Sequence, residues 1–415
     1  VLTGTVEDRD EFSQNLYLQS NGDGAFQWLA GLYYSTEDFK DQNQRLSDAT
    51  LQNTSGTVIY AIGGPTPVTD STTLISNEFY SVFASGSLDF ADIWNITVEG
   101  RYTREDKEAN QIADVFPIRT PPDQPTGQQQ RAFNFFTPRA ILTVTPTNDL
   151  LAYVSAAKGV KSGGFNPGSL QFPTFDLEEN WTYELGAKWT LWDGRARLNG
   201  AAYYIDWDDQ QITATDPDLT RLPITTNVAT TEIMGVEIEA FLNPTDWLQF
   251  NLGATMLDAE YKEGATTTIE QFIDCDAIPI PCDVDVPPPF GPFTSGSIAG
   301  KQVAGTPEAT LNFGAQVNWP LPGGNMDFVA RADYSWQDKI FVDEANAGFI
   351  PSRETLNLRM GVDGEGWSFQ GFCNNATNDK TPLFAVPPRD ILGVPHYAVV
   401  NRNLRLCGVQ MSIQM

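Results

Sequence analysis

The stretch ATLNFGAQVNWPLPGGNMDFVARADYSW, Ala309 to Trp336, alternates from end to end. Ala309, Leu311, Phe313, Ala315, Val317 and Trp319 fall on one face, and Thr310, Asn312, Gly314, Gln316 and Asn318 on the other. Period two is the side-chain repeat of a strand. After the turn PLPGGN the pattern resumes, with Met326, Phe328, Ala330, Ala332, Tyr334 and Trp336 against Asp327, Arg331, Asp333 and Ser335. An antiparallel hairpin is expected, and its apolar face must lie against a second sheet or against lipid.

Composition narrows the choice. The 415-residue chain is 41% hydrophobic, yet no apolar run reaches the roughly 18 residues a membrane helix needs. A helical membrane protein is therefore not expected. The opening, VLTGTVEDRDEF, has neither the cationic nor the apolar part of a signal peptide and reads as a mature or truncated start. A net charge of -28 argues against a nucleic-acid partner, because phosphate binding needs clustered Lys and Arg. Cys275 and Cys282 bracket CDAIPIPC in a Pro-rich acidic loop, where a short disulfide or two separate thiols would fit. With His396 the sole histidine, no metal site of zinc type is expected. Asp274, Asp276, Asp283 and Asp285 of the same loop suit a hard cation or a solvated acidic surface.

The connections decide the class. About fifteen alternating segments run along the chain, many of them longer than a globular strand. Short turns at 21–24, 90–93, 146–149, 192–195, 243–246, 321–325 and 363–366 alternate with long polar loops near 40–76, 106–130, 159–178, 215–228, 263–306, 338–352 and 378–406. Tight turns at one rim and long loops at the other belong to a transmembrane β-barrel. The faces agree. Trp181, Tyr183, Leu185, Ala187, Trp189 and Leu191 oppose Thr182, Glu184, Gly186, Lys188 and Thr190; Val236, Ile238, Ala240 and Leu242 oppose Gly235, Glu237, Glu239 and Phe241. The apolar face is thus expected to touch lipid, with Trp and Tyr near strand ends as interfacial girdles. Arg101, Arg139, Glu184, Lys188, Arg197, Glu237, Glu239, Arg331, Asp333 and Arg359 would face a wet or plugged lumen.

Several stretches, in order, resemble the C-terminal barrel portion of TonB-dependent outer-membrane receptors: FSQNLYLQSNGDGAFQWLAGLYY from Phe12, LLAYVSAAKGVKSGGFNP from Leu150, NWTYELGAKWTLWDGRARLNGAAYYIDWDDQQI from Asn180, MGVEIEAFLNPTDWLQFNLGATMLDAEY from Met234 and FCNNATNDK from Phe372. Asn374, Asn375 and Asp379 are similar to the family's Asn-rich end of the penultimate strand, where they would shape a turn. The family's last strand commonly ends in Phe; this one ends in Met415.

The resemblance implies an all-β protein, with residues 1–415 forming the last part of a barrel of about 22 strands and the plug domain lying upstream, outside this chain. It further implies a Gram-negative outer-membrane location beside lipid and lipopolysaccharide, and active uptake of a scarce nutrient, above all a ferric siderophore, energised by the TonB complex. No enzyme activity and no cofactor are expected. A passive porin of about 16 strands is the alternative. Arg101, Arg139, Arg331 and Arg359 are candidates to draw an anionic iron complex, or else to pair with plug or wall. Glu184, Lys188, Glu237, Glu239 and Asp333 read as a wall charge network. If Trp367 lies opposite Ile413, then Cys373 meets Cys407 on the apolar face, as a cross-strand disulfide or as two small apolar residues.

Overall fold

A computed structural model describes residues 2–47, 50–52, 58–60, 66–115, 128–166, 169, 172–215, 223–267, 296–346, 348–386 and 398–413. Cys275, Cys282, His396 and the aspartates of loop 274–285 lie outside the described residues. Fifteen strands form one sheet: β1 (Leu2–Gln19), β2 (Phe26–Ser47), β3 (Thr66–Phe90), β4 (Trp94–Val115), β5 (Gln128–Thr147), β6 (Leu150–Lys161), β7 (Glu178–Leu191), β8 (Ala196–Thr215), β9 (Pro223–Thr245), β10 (Leu248–Tyr261), β11 (Ala309–Pro320), β12 (Met326–Gln337), β13 (Arg353–Gly364), β14 (Trp367–Asn374) and β15 (Leu406–Ile413). Each pairs antiparallel with the next, so the order in the sheet is the order in the chain. Local pairing of this kind is what tight turns and period-two segments dictate.

All seven short turns lie where the sequence places them, and all at one rim. At three of them φ is positive over consecutive residues, Ala91 and Asp92 (48° and 62°), Trp192 and Asp193 (53° and 51°) and Gly323 and Gly324 (112° and 80°). Such mirror-image turns match the right-handed twist of the flanking strands.

The registers align the apolar faces into continuous rows. Phe26 pairs with Leu88, Leu88 with Ile96, Ile96 with Leu142, and the row continues through Val154, Leu185, Ala202 and Val236 to Met256. This face is open: Leu185 is 63% and Met256 64% exposed, whereas Glu105 on the opposite face is 2% exposed. Water would not tolerate that inversion across a whole sheet, but a bilayer requires it.

The other rim differs from expectation. Loops 40–76 and 106–130 are shorter than their polarity suggests, because β2 and β3 remain paired to Ser47 and Thr66, and β4 and β5 to Asn110 and Gln128. Beyond the apolar belt neither face needs apolar residues, so a ladder can continue through segments such as EDFKDQNQRL without an apolar alternation to announce it.

Candidate functional site

The polar face carries its functional groups near the long-loop rim, along β4 and β5. Arg101, Thr103, Glu105 and Lys107 share one face of β4, and Arg131, Phe133, Phe135, Thr137 and Arg139 the same face of β5. Arg101 lies against two rings, Tyr33 at 5.1 Å and Phe83 at 5.7 Å, and donates to Ser81 Oγ at 2.9 Å. Gly31 leaves the room Phe83 needs: a Cβ there would sit 2.4 Å from the ring. Ser81 and Thr103, both buried, share a hydrogen bond of 3.0 Å.

Higher on the same face, Phe133 is 4% exposed and lies between two cations, Lys107 Nζ at 5.8 Å and the Arg131 guanidinium at 5.1 Å. Lys107 pairs with buried Glu105 at 2.9 Å and donates to Ser162 Oγ (2.7 Å) and the Gly163 carbonyl (2.9 Å). Arg131 donates to the Phe175 carbonyl at 3.3 Å and to Asp176 Oδ1 at 2.6 Å. Both cations therefore hold the segment between β6 and β7, a strap whose Gly164–Phe165 and Thr174–Phe175 pair as a small hairpin. Its far side is fastened by amides. Asn166 donates to the Thr225 carbonyl (2.7 Å) and accepts from Thr225 N–H (2.8 Å), and Asn227 holds Asp176 in the same reciprocal way at 2.9 and 2.7 Å.

A second group lies at the rim between β13 and β15. Asn375 and Asn378 have φ of 49° and 58°, and Asn375 Nδ2 donates to the Asp379 and Asn403 carbonyls at 2.8 and 3.1 Å. Asn375 bends the chain out of β14, the turn role expected of it, and Asn378, not among the expected residues, adds a second left-handed position. Asp379 accepts from Glu354 N–H (2.9 Å), Thr381 N–H (2.8 Å), Thr381 Oγ1 (2.7 Å) and Arg402 (3.2 Å). Burial would raise its carboxyl, but these donors, Thr381 first, hold it below the ordinary carboxylate value.

Arg139 faces Glu99 at 3.6 Å, and Arg331 is gripped by Asp333 at 2.8 and 2.6 Å with Gln316 at 2.9 Å. Arg359, opposite Arg331 in the ladder, makes no hydrogen bond or ion pair among the described residues. Glu184 accepts from Tyr153 OH, and Glu239 from Asn199 at 3.3 Å. Lys188 and Glu237 share that face but form no ion pair among the described residues. Cys373 and Cys407 stand opposite each other, in the register that pairs Trp367 with Ile413, and their sulfurs are bonded. Lys107 and Asp176 escaped the sequence reading because residues 106–130 and 159–178 read as loop, and Arg131 because it stands at the edge of the first of these. The parity of Lys107 with Arg101 and of Arg131 with Arg139 was the available signal, and Asp176 had none.

A sheet of this topology with its apolar face outward matches a known architecture at the level of sequence. The profile described as "TonB dependent receptor-like, beta-barrel" covers residues 2–376. The chain belongs to that family. It is an outer-membrane β-barrel wall from a family of transport receptors. A curated relative, the probable TonB-dependent siderophore receptor PiuA of Acinetobacter baumannii, is 24% identical over 388 residues, 85% of this chain and 46% of its own length. The ferric yersiniabactin uptake receptor FyuA of Yersinia pestis superposes with a TM-score of 0.73 at 14% identity, covering 99% of this chain and 55% of FyuA. The solved structure of PiuA from A. baumannii gives 0.67 at 18% identity, over 98% of this chain and 56% of PiuA. The chain thus spans about half the length of the relatives it matches.

Proposed function

We propose that this chain is the wall of an active-transport receptor for an anionic iron chelate, a ferric siderophore, energised through TonB by segments outside the chain. The observation that carries this reading is Arg101 on the inner face of β4, which lies against Tyr33 and Phe83 and meets no carboxylate among the described residues. A guanidinium backed by aromatic rings attracts an anionic chelate by charge, and the rings offer contact to its apolar arms. PiuA is described as a probable siderophore receptor and FyuA as a ferric yersiniabactin uptake receptor, in agreement with this chemistry.

Of the four candidate arginines, Arg101 and Arg359 meet no carboxylate among the described residues, and Arg101 is placed against rings. In this reading both meet the ligand, while Arg139 and Arg331 serve the wall. A barrel of about 22 strands with a plug inside would be completed by the rest of the protein.

Binding and uptake of radiolabelled ferric siderophores by the full-length protein in iron-starved cells tests the proposal. Saturable uptake that stops when the proton gradient is collapsed is the expected result. Arg101→Ala should weaken binding about tenfold, the loss of roughly 1.4 kcal/mol. Failure to take up any ferric chelate, together with steady ion conductance in a planar bilayer, would replace the receptor by a passive pore.

A further inference from the structure

Cys373 and Cys407 sit where thiol chemistry stops once the wall is in the membrane. Cys373 belongs to the outward row of Ala332 and Leu358, one outward pair inside Tyr334 and Leu356, and Cys407 extends that row onto β15. The groove around the pair is lined on the outward side by Ala315, Ala332, Leu358, Met360 and Gly371. Thiol–disulfide exchange proceeds through a thiolate. An apolar surrounding raises the thiol pKa and makes that anion costly, so in the bilayer the bond can neither form nor open.

β15 also needs a device to set its register. Among the described residues β15 is held through β14 alone, over eight residue pairs. A slip of two residues would keep Val409, Met411 and Ile413 outward, so the alternation by itself does not exclude it. The pairing must also close a sequence separation of 34 residues between the two cysteines, an entropic cost borne by few contacts.

We propose that the Cys373–Cys407 bond is closed in the periplasm before insertion and acts as an assembly clamp that fixes β15 on β14. In the step, one thiolate attacks the disulfide of a periplasmic protein oxidant and forms a mixed disulfide. The second thiolate then displaces the oxidant. Two cysteine thiols lose two electrons and two protons, and the oxidant leaves as a dithiol.

The test is pulse-labelling of the full-length protein in a Gram-negative host, with thiols trapped by N-ethylmaleimide and each cysteine read by non-reducing peptide mapping. The linked Cys373–Cys407 peptide should already be present in the urea-extractable pool that has not inserted. A membrane-impermeant phosphine should leave it intact in whole outer membranes and open it after denaturation. The double variant Cys373→Ala, Cys407→Ala should lower the folded, heat-modifiable fraction at least about threefold. Free thiols in the inserted protein, a linkage that appears only after insertion, opening by phosphine in intact membranes, or normal assembly of the double variant would each overturn the proposal.

Discussion

Asp379 shows how much one side chain can hold at the rim. It is 13% exposed and gathers donors from both ends of the connection between β14 and β15 and from the start of β13. Asp379→Ala removes the acceptor and strands those donors, so a loss of about 2 kcal/mol is expected, read as a lower thermal midpoint and faster proteolysis near residue 380. The pH dependence has a definite sign. A carboxyl depressed on folding contributes its full stability above the ordinary carboxylate pKa and loses it as pH falls through the lower, folded value. Rim proteolysis of the wild type should therefore accelerate below about pH 4, and that of Asp379→Asn should be flat through the same window. Asp379 was visible in the sequence as part of the Asn-rich turn. Arg402 was not, because its partner lies 23 residues away across a loop.

At the scale of elements, period two located the wall and misplaced its upper edge. Every strand that faces hydrocarbon announces itself, since one face must be apolar over the full span. Above the belt that demand ends, and β2 to β5 continue as polar ladders that resemble loops. The strap's anchors were lost to the reading for this reason. Lys107 and Arg131 sit on those ladders, and Asn166 and Asn227 act through backbone groups that no composition reveals. Arg131→Ala should release Asp176 and the Phe175 carbonyl while the wall stays folded. Hydrogen exchange over residues 162–177 should rise about tenfold, the effect of losing roughly 1.4 kcal/mol of local stability, with exchange in β7 and β8 unchanged. Protection unchanged in the strap would mean that the amide anchors on β9 suffice.

Within the apolar belt the wall is ordered by one rule, apolar side chains outward and charges inward, carried by fifteen consecutive antiparallel strands. The rule makes charge substitutions strongly asymmetric. Leu185→Lys places an ammonium in hydrocarbon and should cost about 2–4 kcal/mol, enough to deplete the inserted form, whereas Thr182→Lys on the opposite face should insert normally. Chain length, turn spacing and the resemblance all spoke to this scale, and ligand choice did not, because cations that hold a strap and cations that hold a chelate look alike in sequence. The most direct test of the account is carbene photolabelling from a diazirine lipid in native outer membranes, mapped residue by residue with mass spectrometry. The account predicts label on Val154, Leu185, Val236 and Met256 and none on Ser155, Glu184, Glu237 and Thr255, their neighbours on the other face. Label on both sets, or on the second alone, would contradict it.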